Sequence, residues 1–334
     1  MKYNLVVADE KQLKLIDTYE AWGLSRNLTR SQYENQERNL SKTSFFKYQT
    51  QYVLIEHSKP FEILSSCETY ERSCSISTAT GELVNGRCFS IASVFTPPNH
   101  RGKGFASEMM KLLFNILKNK GALASNLNSD VGRLFYAKFG WKFFESKNLI
   151  LPKQALLKWI KFRVELKKVT LDNLKTVLRF FNLNSIKHHK VKKNIFFVDP
   201  KESFESLEWI YLDTKFLAKV LLNLDMDHFG VFLQETGEFF LWTLEIEKKK
   251  LVVHLVNCWS QNSLKKLMVG CLDEVERLQM DVISFWNPNL EIFDDVINLG
   301  EYSDREKSLS CLAILSDDFK GDVEWVYNEK YLWV

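Results

Sequence analysis

Glycine and proline are scarce in this chain, at 13 and 6 residues of 334, which excludes a collagenous or low-complexity disordered polymer. Cysteine is sparse as well. The six cysteines, Cys67, Cys74, Cys88, Cys258, Cys271 and Cys311, form neither a C-x-x-C pair nor a dense framework. That speaks against a disulfide scaffold or zinc module and for reduced thiols. No metal is expected, since His188 and His189 lack partners at ligand spacing. No apolar run approaches the ~20 residues of a membrane span, and the N-terminus MKYNLVVADEKQ turns acidic without an apolar signal core. An excess of one charge is also missing. Lys+Arg number 45 and Asp+Glu 42, a net of +3, so no basic field points to nucleic acid. The composition predicts a soluble cytoplasmic protein, with the nucleus left open, and no membrane, metal or nucleic-acid partner.

What the chain does have is apolar material. Nearly half of it, 46%, is hydrophobic and 13% is aromatic, enough for sizeable cores. Its length exceeds one average domain, so two are expected. The first 150 residues read β-α-α-β-β-β-α-β-α-β, a mixed α/β unit. QYVLIEH is a strand, the alternating FEILSSCETYERSCSIS a long one, and RCFSIASVFT the next. The clearest helix runs from Gly104 to Lys118, with Phe105, Met109, Leu112, Leu113, Ile116 and Leu117 on one stripe. ALASNLN is a buried strand, and VGRLFYAKF is a short helix closed by Gly140.

Leu151-Pro152 marks a boundary. KQALLKWIKFRVELKK is a connecting helix, and residues 151–334 form a second α/β domain. There, residues around 214–223 are helical, GVFLQET and EFFLWTLEIE pair as a hairpin, LVVHLVNCW is a strand, and a helix covers Ser263–Leu278. A strand–helix–strand unit thus occurs in each half, ending in ALASNLNSDVGRLF and in DVISFWNPNLEIF. The two fit a degenerate tandem repeat, although any such unit has a similar length. KHHKVKK at 187–193 reads as a solvated basic loop.

The first copy carries VFTPPNHRGKGFASEMM at 94–110; the second has SQNSLKKLMVG in its place. Small residues opening a helix aim backbone N–H groups and the positive dipole end at one point, an anion site suited to phosphate. The P-loop pattern fails because Phe-Ala-Ser follows Gly104. The dinucleotide fingerprint fails because Ser107 stands where its last glycine would be.

Arg101-Gly102-Lys103-Gly104-Phe105-Ala106 satisfies R/Q-x-x-G-x-G/A and resembles the GNAT superfamily of acyl-CoA N-acyltransferases. A second landmark lies about thirty residues on, Phe135-Tyr136-Ala137-Lys138-Phe139-Gly140-Trp141. ILSSCETYER, SNLNSDVG and the ending WVYNEKYLWV narrow the resemblance to fungal lysine N6-acetyltransferases. The resemblance implies a mostly antiparallel sheet flanked by helices, acetyl-CoA as co-substrate and a small-molecule amine acceptor. It implies that the 101–106 loop binds pyrophosphate, with Arg101 and Lys103 adding charge or pointing to solvent. It further implies that backbone groups of Val94, Phe95 and Thr96 align pantetheine and that Tyr136 protonates the leaving thiolate.

A base must first deprotonate an amine whose pKa is about 10. Glu68, Glu71, Asp130 and His100 are candidates. Alternation puts Glu68 and Glu71 on opposite faces; Glu68, in the CET stretch, is preferred as the base, and a salt-bridged surface carboxylate is the alternative. Asp130 either meets the acceptor or caps the helix near Val131. Trp22 either lines the acceptor cleft or packs in the core. Some tandem relatives, N-myristoyltransferases among them, place a C-terminal carboxylate in the site; here that group would be Val334, and the preferred alternative is a buried terminus that only staples the second domain. The expectation is an N-acetyltransferase for the ε-amine of free L-lysine. The alternatives are a protein or peptide acetyltransferase and a CoA-binding module without turnover.

Overall fold

The computed structural model describes residues 2–23, 27–183, 193–319 and 322–333, with backbone alone at 18–23. The chain opens with β1 (Tyr3–Val7), α1 (Glu10–Gly23) and α2 (Arg30–Leu40). The Thr29 hydroxyl accepts from the Gln32 backbone N–H, and the Gln32 side chain returns the bond to Thr29 N. This capping box starts α2 at that point. Then come β2 (Gln49–Glu56), β3 (Ser65–Ser77), β4 (Leu83–Phe95), α3 (Phe105–Asn119), β5 (Ala124–Ser129) and β6 (Lys142–Phe143).

The second half continues with β7 (Lys147–Pro152), α4 (Lys153–Trp159), β8 (Lys167–Val169), α5 (Leu171–Leu178) and β9 (Asn194–Phe197). It goes on through α6 (Phe204–Leu222), β10 (Gly230–Leu233), β11 (Glu238–Glu245), β12 (Lys250–Asn257), α7 (Gln261–Arg277) and β13 (Val282–Trp286). α8 (Leu290–Ile297), β14 (Glu301–Asp304), β15 (Leu309–Ile314) and β16 (Val323–Trp325) complete it.

Two sheets result. The first has the order β1-β2-β3-β4-β5-β15-β6, with β9 on β3 and β16 on β9; the second runs β14-β7-β13-β12-β11-β10-β8. In the first, β1 to β4 are antiparallel and β4–β5 parallel; in the second, β12–β13 is the parallel pair among antiparallel neighbours. α3 and α7 are the two crossovers. Both halves therefore contain the same strand–helix–parallel-strand unit, and the tandem reading of the sequence holds.

The sheets also exchange strands. β7 starts at Lys147 yet pairs with β13 and β14, whereas β15 sits between β5 and β6 in the first sheet. One core cluster lies under the first sheet around Tyr52, Phe89, Met109, Leu113, Leu117 and Trp141. The larger one runs from Cys74 and Ile76 to Phe240 and Phe285 and spans both sheets. Each fully buried side chain of this size contributes about 1.5–3 kcal/mol, so the halves hold one another in place.

Three expectations need correcting. VGRLFYAKF is not an α-helix; only Tyr136–Phe139 makes a turn of 3₁₀ helix. Leu134 is 76% exposed there, while Tyr136 is buried and Phe135 and Phe139 pack partly against the first core, so the apolar residues do not share one helical face. The connecting helix is only seven residues long and stops at Trp159. The helix around 214–223 is far longer, filling Phe204–Leu222. The basic run at 187–192 lies outside the described residues.

Candidate active site

β4 positions the site through an irregularity. Opposite β3, Glu68 pairs with Ala92 but Ser66 pairs with Phe95, so β4 carries one extra residue between them. Ser93 accommodates this β-bulge with a φ of 50°. Pairing with β5 ends at Ile91–Leu127. Beyond it, β4 runs on to Phe95 and β5 to Ser129, and a cleft of about 350 Å³ lies against both segments.

The 101–106 loop follows the end of β4. Gly102 and Gly104 have φ of 74° and 83°, and a Cβ built on either would meet nothing within 4 Å. The glycines thus supply left-handed backbone beside open space. Gly104 is the residue before α3, and no side chain caps that helix. Its first-turn N–H groups and positive dipole end are suited to an anion. The residues present therefore fit a diphosphate. The two cations work on the loop itself: Arg101 Nε donates to the Thr96 carbonyl at 3.0 Å and Lys103 Nζ to the Asn99 carbonyl at 2.9 Å. Phe105 turns inward, edge-on to Tyr3 and His100 at 5.5 and 5.8 Å. His100 is buried and lies 3.6 Å from Glu62, which makes it part of the loop's packing.

Within the cleft, Glu68 and Tyr136 share a wall with Val94, Phe95 and Asp130. Glu68 Oε2 accepts from the Tyr70 hydroxyl at 3.0 Å and the Ser93 hydroxyl at 3.1 Å. Gln49 Nε2 in turn donates to the Tyr70 oxygen at 3.1 Å. Burial raises the Glu68 carboxyl pKa above its ordinary value, only partly opposed by hydrogen bonds from Tyr70, Ser93 and Gln49. Such a carboxyl is tuned toward exchanging protons nearer neutrality. Tyr136 is 6% exposed, and its ring meets Phe135 edge-on at 4.9 Å. Burial, then the neighbouring Cys67 and Cys311, raises its hydroxyl pKa well above the usual value. The group stays protonated and so carries a proton to donate.

The other candidates separate. Glu71 faces Arg87 at 3.7 Å and is not among the cleft residues. Asp130 caps no helix: its Oδ1 accepts from Ser308 N at 2.8 Å and Ser308 Oγ at 3.3 Å, fastening the turn before β15. The Ser129 hydroxyl organises the local turn instead, accepting from Val131 N at 3.3 Å and donating to Gly132 O at 2.8 Å. The Thr96 hydroxyl lies 3.0 Å from that of Ser65, which donates to the Phe95 carbonyl at 2.8 Å. Trp22 stands on α1 with its side chain outside the described residues, as is Val334.

Much of the cleft lining was not visible in the sequence. Tyr33 and Gln36 come from α2, Trp209 and Asp213 from α6, and Leu332 and Trp333 from the end of the chain. Gln36 donates to Asp213, joining the two helices across 177 residues. A buried carboxylate within the apolar FESLEWIYLDTKFLAKVLL was the one available signal. Among the described residues no group of three or more metal-ligating side chains occurs, and no helix is long and apolar enough to cross a membrane.

Comparison with known proteins meets this geometry. Residues 27–144 match the family model described as acetyltransferase (GNAT) domain, and residues 150–334 match the LYC1 GNAT-like C-terminal domain. The chain is 37% identical over 97 residues to a protein named lysine acetyltransferase from Yarrowia lipolytica; the match covers 23% of this chain and 24% of that one. It is 22% identical over 381 residues to the uncharacterized protein YGR111W of Saccharomyces cerevisiae, covering 98% and 94%. Among solved structures, a GCN5-related N-acetyltransferase from Anabaena variabilis superposes with a TM-score of 0.61 at 12% identity, over 94% of this chain and 73% of that one. The chain belongs to the GNAT family, with a LYC1 GNAT-like C-terminal domain, and is an acetyl-CoA-dependent N-acetyltransferase.

Proposed function

We propose that the acceptor is the ε-amine of free L-lysine, and that residues 1–150 bind acetyl-CoA while residues 151–334 close the acceptor side. The observation that carries this reading is the composition of the cleft wall. Trp209, Asp213, Leu332 and Trp333 of the second half line the same cleft as Glu68 and Tyr136 of the first. A small cationic molecule suits a cleft walled from both halves with carboxylates from each, whereas a peptide needs an open groove. The partial likeness to the Yarrowia lipolytica protein named lysine acetyltransferase supports the same acceptor.

In this reading the α3 N-terminus with Gly102, Gly104 and Ala106 holds the pyrophosphate, and Arg101 and Lys103 keep the loop in shape. Val94, Phe95 and Thr96 run beside the pantetheine, their backbone N–H groups polarising the thioester carbonyl. Acetyl-CoA supplies the activated acyl group. Glu68 removes a proton from the bound ammonium and passes it to solvent, and the free amine attacks the carbonyl carbon to form the C–N bond. The C–S bond then breaks as the nitrogen gives up its second proton. The Tyr136 hydroxyl gives its proton to the departing thiolate, and the proton lost by the nitrogen restores it through solvent. Holding both reactants in one cleft accounts for a large share of the acceleration.

The test is thiol release from acetyl-CoA with free lysine, polyamines and lysine-containing peptides. Turnover with free lysine, lost in Gly104→Glu, supports the reading. Faster turnover with peptides, or CoA binding with no acceptor turned over, sinks the lysine assignment.

A further inference from the structure

A second cavity, of about 200 Å³, shares Asp213 and Trp333 with the active-site cleft. Its other walls come from α6, from β11 with the turn that follows it, and from β12. Ile210, Leu217, Leu221 and Leu244 give it an apolar lining. His254 lines it as well, 1% exposed, with neither ring nitrogen bonded among the described residues. Tyr211 lies against that ring at 5.5 Å. Burial, with a contribution from Lys330, lowers the imidazole pKa to about 3, so it is neutral and offers one donor and one acceptor. Leaving such a group unsatisfied is costly, so a polar atom that reaches the ring from the cavity gains a hydrogen bond no described residue supplies.

Charge of both signs borders the same space. Lys330 Nζ and Glu245 Oε1 are 2.5 Å apart, with side chains 12% and 24% exposed, and Lys248 reaches Glu245 Oε2 at 3.0 Å. Glu247 accepts from Asn27 Nδ2 at 2.7 Å, and Asp213 from Gln36. Ammonium and carboxylate groups thus flank an apolar chamber of small-molecule size, with a buried hydrogen-bonding ring at its wall. A ligand that matches must be short, apolar in its body and charged at one end with both signs.

We propose that this cavity is a second small-molecule site, distinct from the reacting centre, that binds a free α-amino acid as its zwitterion. The ligand carboxylate lies toward Lys330 and Lys248 and its ammonium toward Glu245 and Asp213. Its side chain lies on the leucines of α6, and His254 completes the polar contacts. Because Asp213 and Trp333 face both spaces, occupancy of this site reaches the acceptor wall.

Titration calorimetry on the full chain tests it with L-leucine, which has no side-chain amine to acetylate. 4-Methylpentanoate and 3-methylbutylamine are the controls that lack one charge each. Saturable leucine binding at one site per chain is expected, weaker by about tenfold or more for either control. Leu217→Trp, which fills the chamber, and His254→Gln, which leaves its volume nearly unchanged, should each weaken leucine while acetyl-CoA binding is retained. No leucine binding at millimolar concentration overturns the proposal and leaves the cavity to water. So does leucine binding that survives in both variants, or that is lost in Glu68→Gln instead. The result does not depend on which acceptor is acetylated.

Discussion

The Ser93 hydroxyl donates to Glu68 Oε2 at 3.1 Å from a backbone held at a φ of 50°. A non-glycine residue in that region is strained, and here the strained bulge both bends β4 and fixes the carboxylate on the cleft wall. Ser93 is thus a positioning residue for Glu68.

Glu68→Gln keeps the shape and one acceptor oxygen but removes the base. A fall in kcat of about 10²–10⁴ is expected. Since burial raises the Glu68 pKa, the wild-type rate should fall as pH drops through that raised value. The acidic limb of the pH–rate profile should be missing in Glu68→Gln; a limb that persists unchanged assigns the base elsewhere.

Gly104→Ala costs about 1–2 kcal/mol in left-handed backbone, but its Cβ meets nothing within 4 Å. The variant should fold with a slightly lower Tm and bind CoA about tenfold more weakly or worse, measured by titration. Gly104→Glu, which sets a carboxylate where phosphate is expected, should show no measurable binding. CoA affinity equal to wild type in both variants would place the pyrophosphate elsewhere.

Tyr136 makes no hydrogen bond through its hydroxyl among the described residues, so Tyr136→Phe should leave Tm within about 2 °C, a stability change below 1 kcal/mol. Its kcat should fall by about tenfold or more if the hydroxyl protonates the thiolate. An acceptor series read with both enzymes would show the loss irrespective of the amine used.

Glu329 accepts from Val256 N at 2.8 Å, and burial lifts its pKa to about 8, only partly opposed by that bond. A carboxyl raised in the fold binds more protons there than in the unfolded chain. Its contribution is therefore fully retained below the ordinary value near 4.5 and is lost as pH rises through about 8. Thermal melts from pH 5 to 9 should show a declining Tm that flattens in Glu329→Gln. Parallel curves for the two proteins would contradict this.

Much of this was legible in the linear chain because the carriers were local. RGKGFA needs only its own backbone and the following helix to present N–H groups, and the apolar stripe of that helix selects the face it buries. β-alternation likewise placed Glu68 and Glu71 on opposite faces. The 134–139 stretch misled for the same local reason: its apolar spacing fits a helix, but only part of it is buried, Tyr136 entering the core while Leu134 stays 76% exposed.

By itself the sequence determined two α/β units, a phosphate-type loop on the first alone, and a tyrosine and a carboxylate as candidates for proton transfer. Tertiary structure decided which side chains meet. The exchange of β7 and β15 between sheets, the Gln36–Asp213 contact and the arrival of Leu332 and Trp333 at the cleft all join residues more than a hundred positions apart. No local periodicity encodes such pairs. They form because each half leaves apolar surface and sheet edges that only the other half can cover.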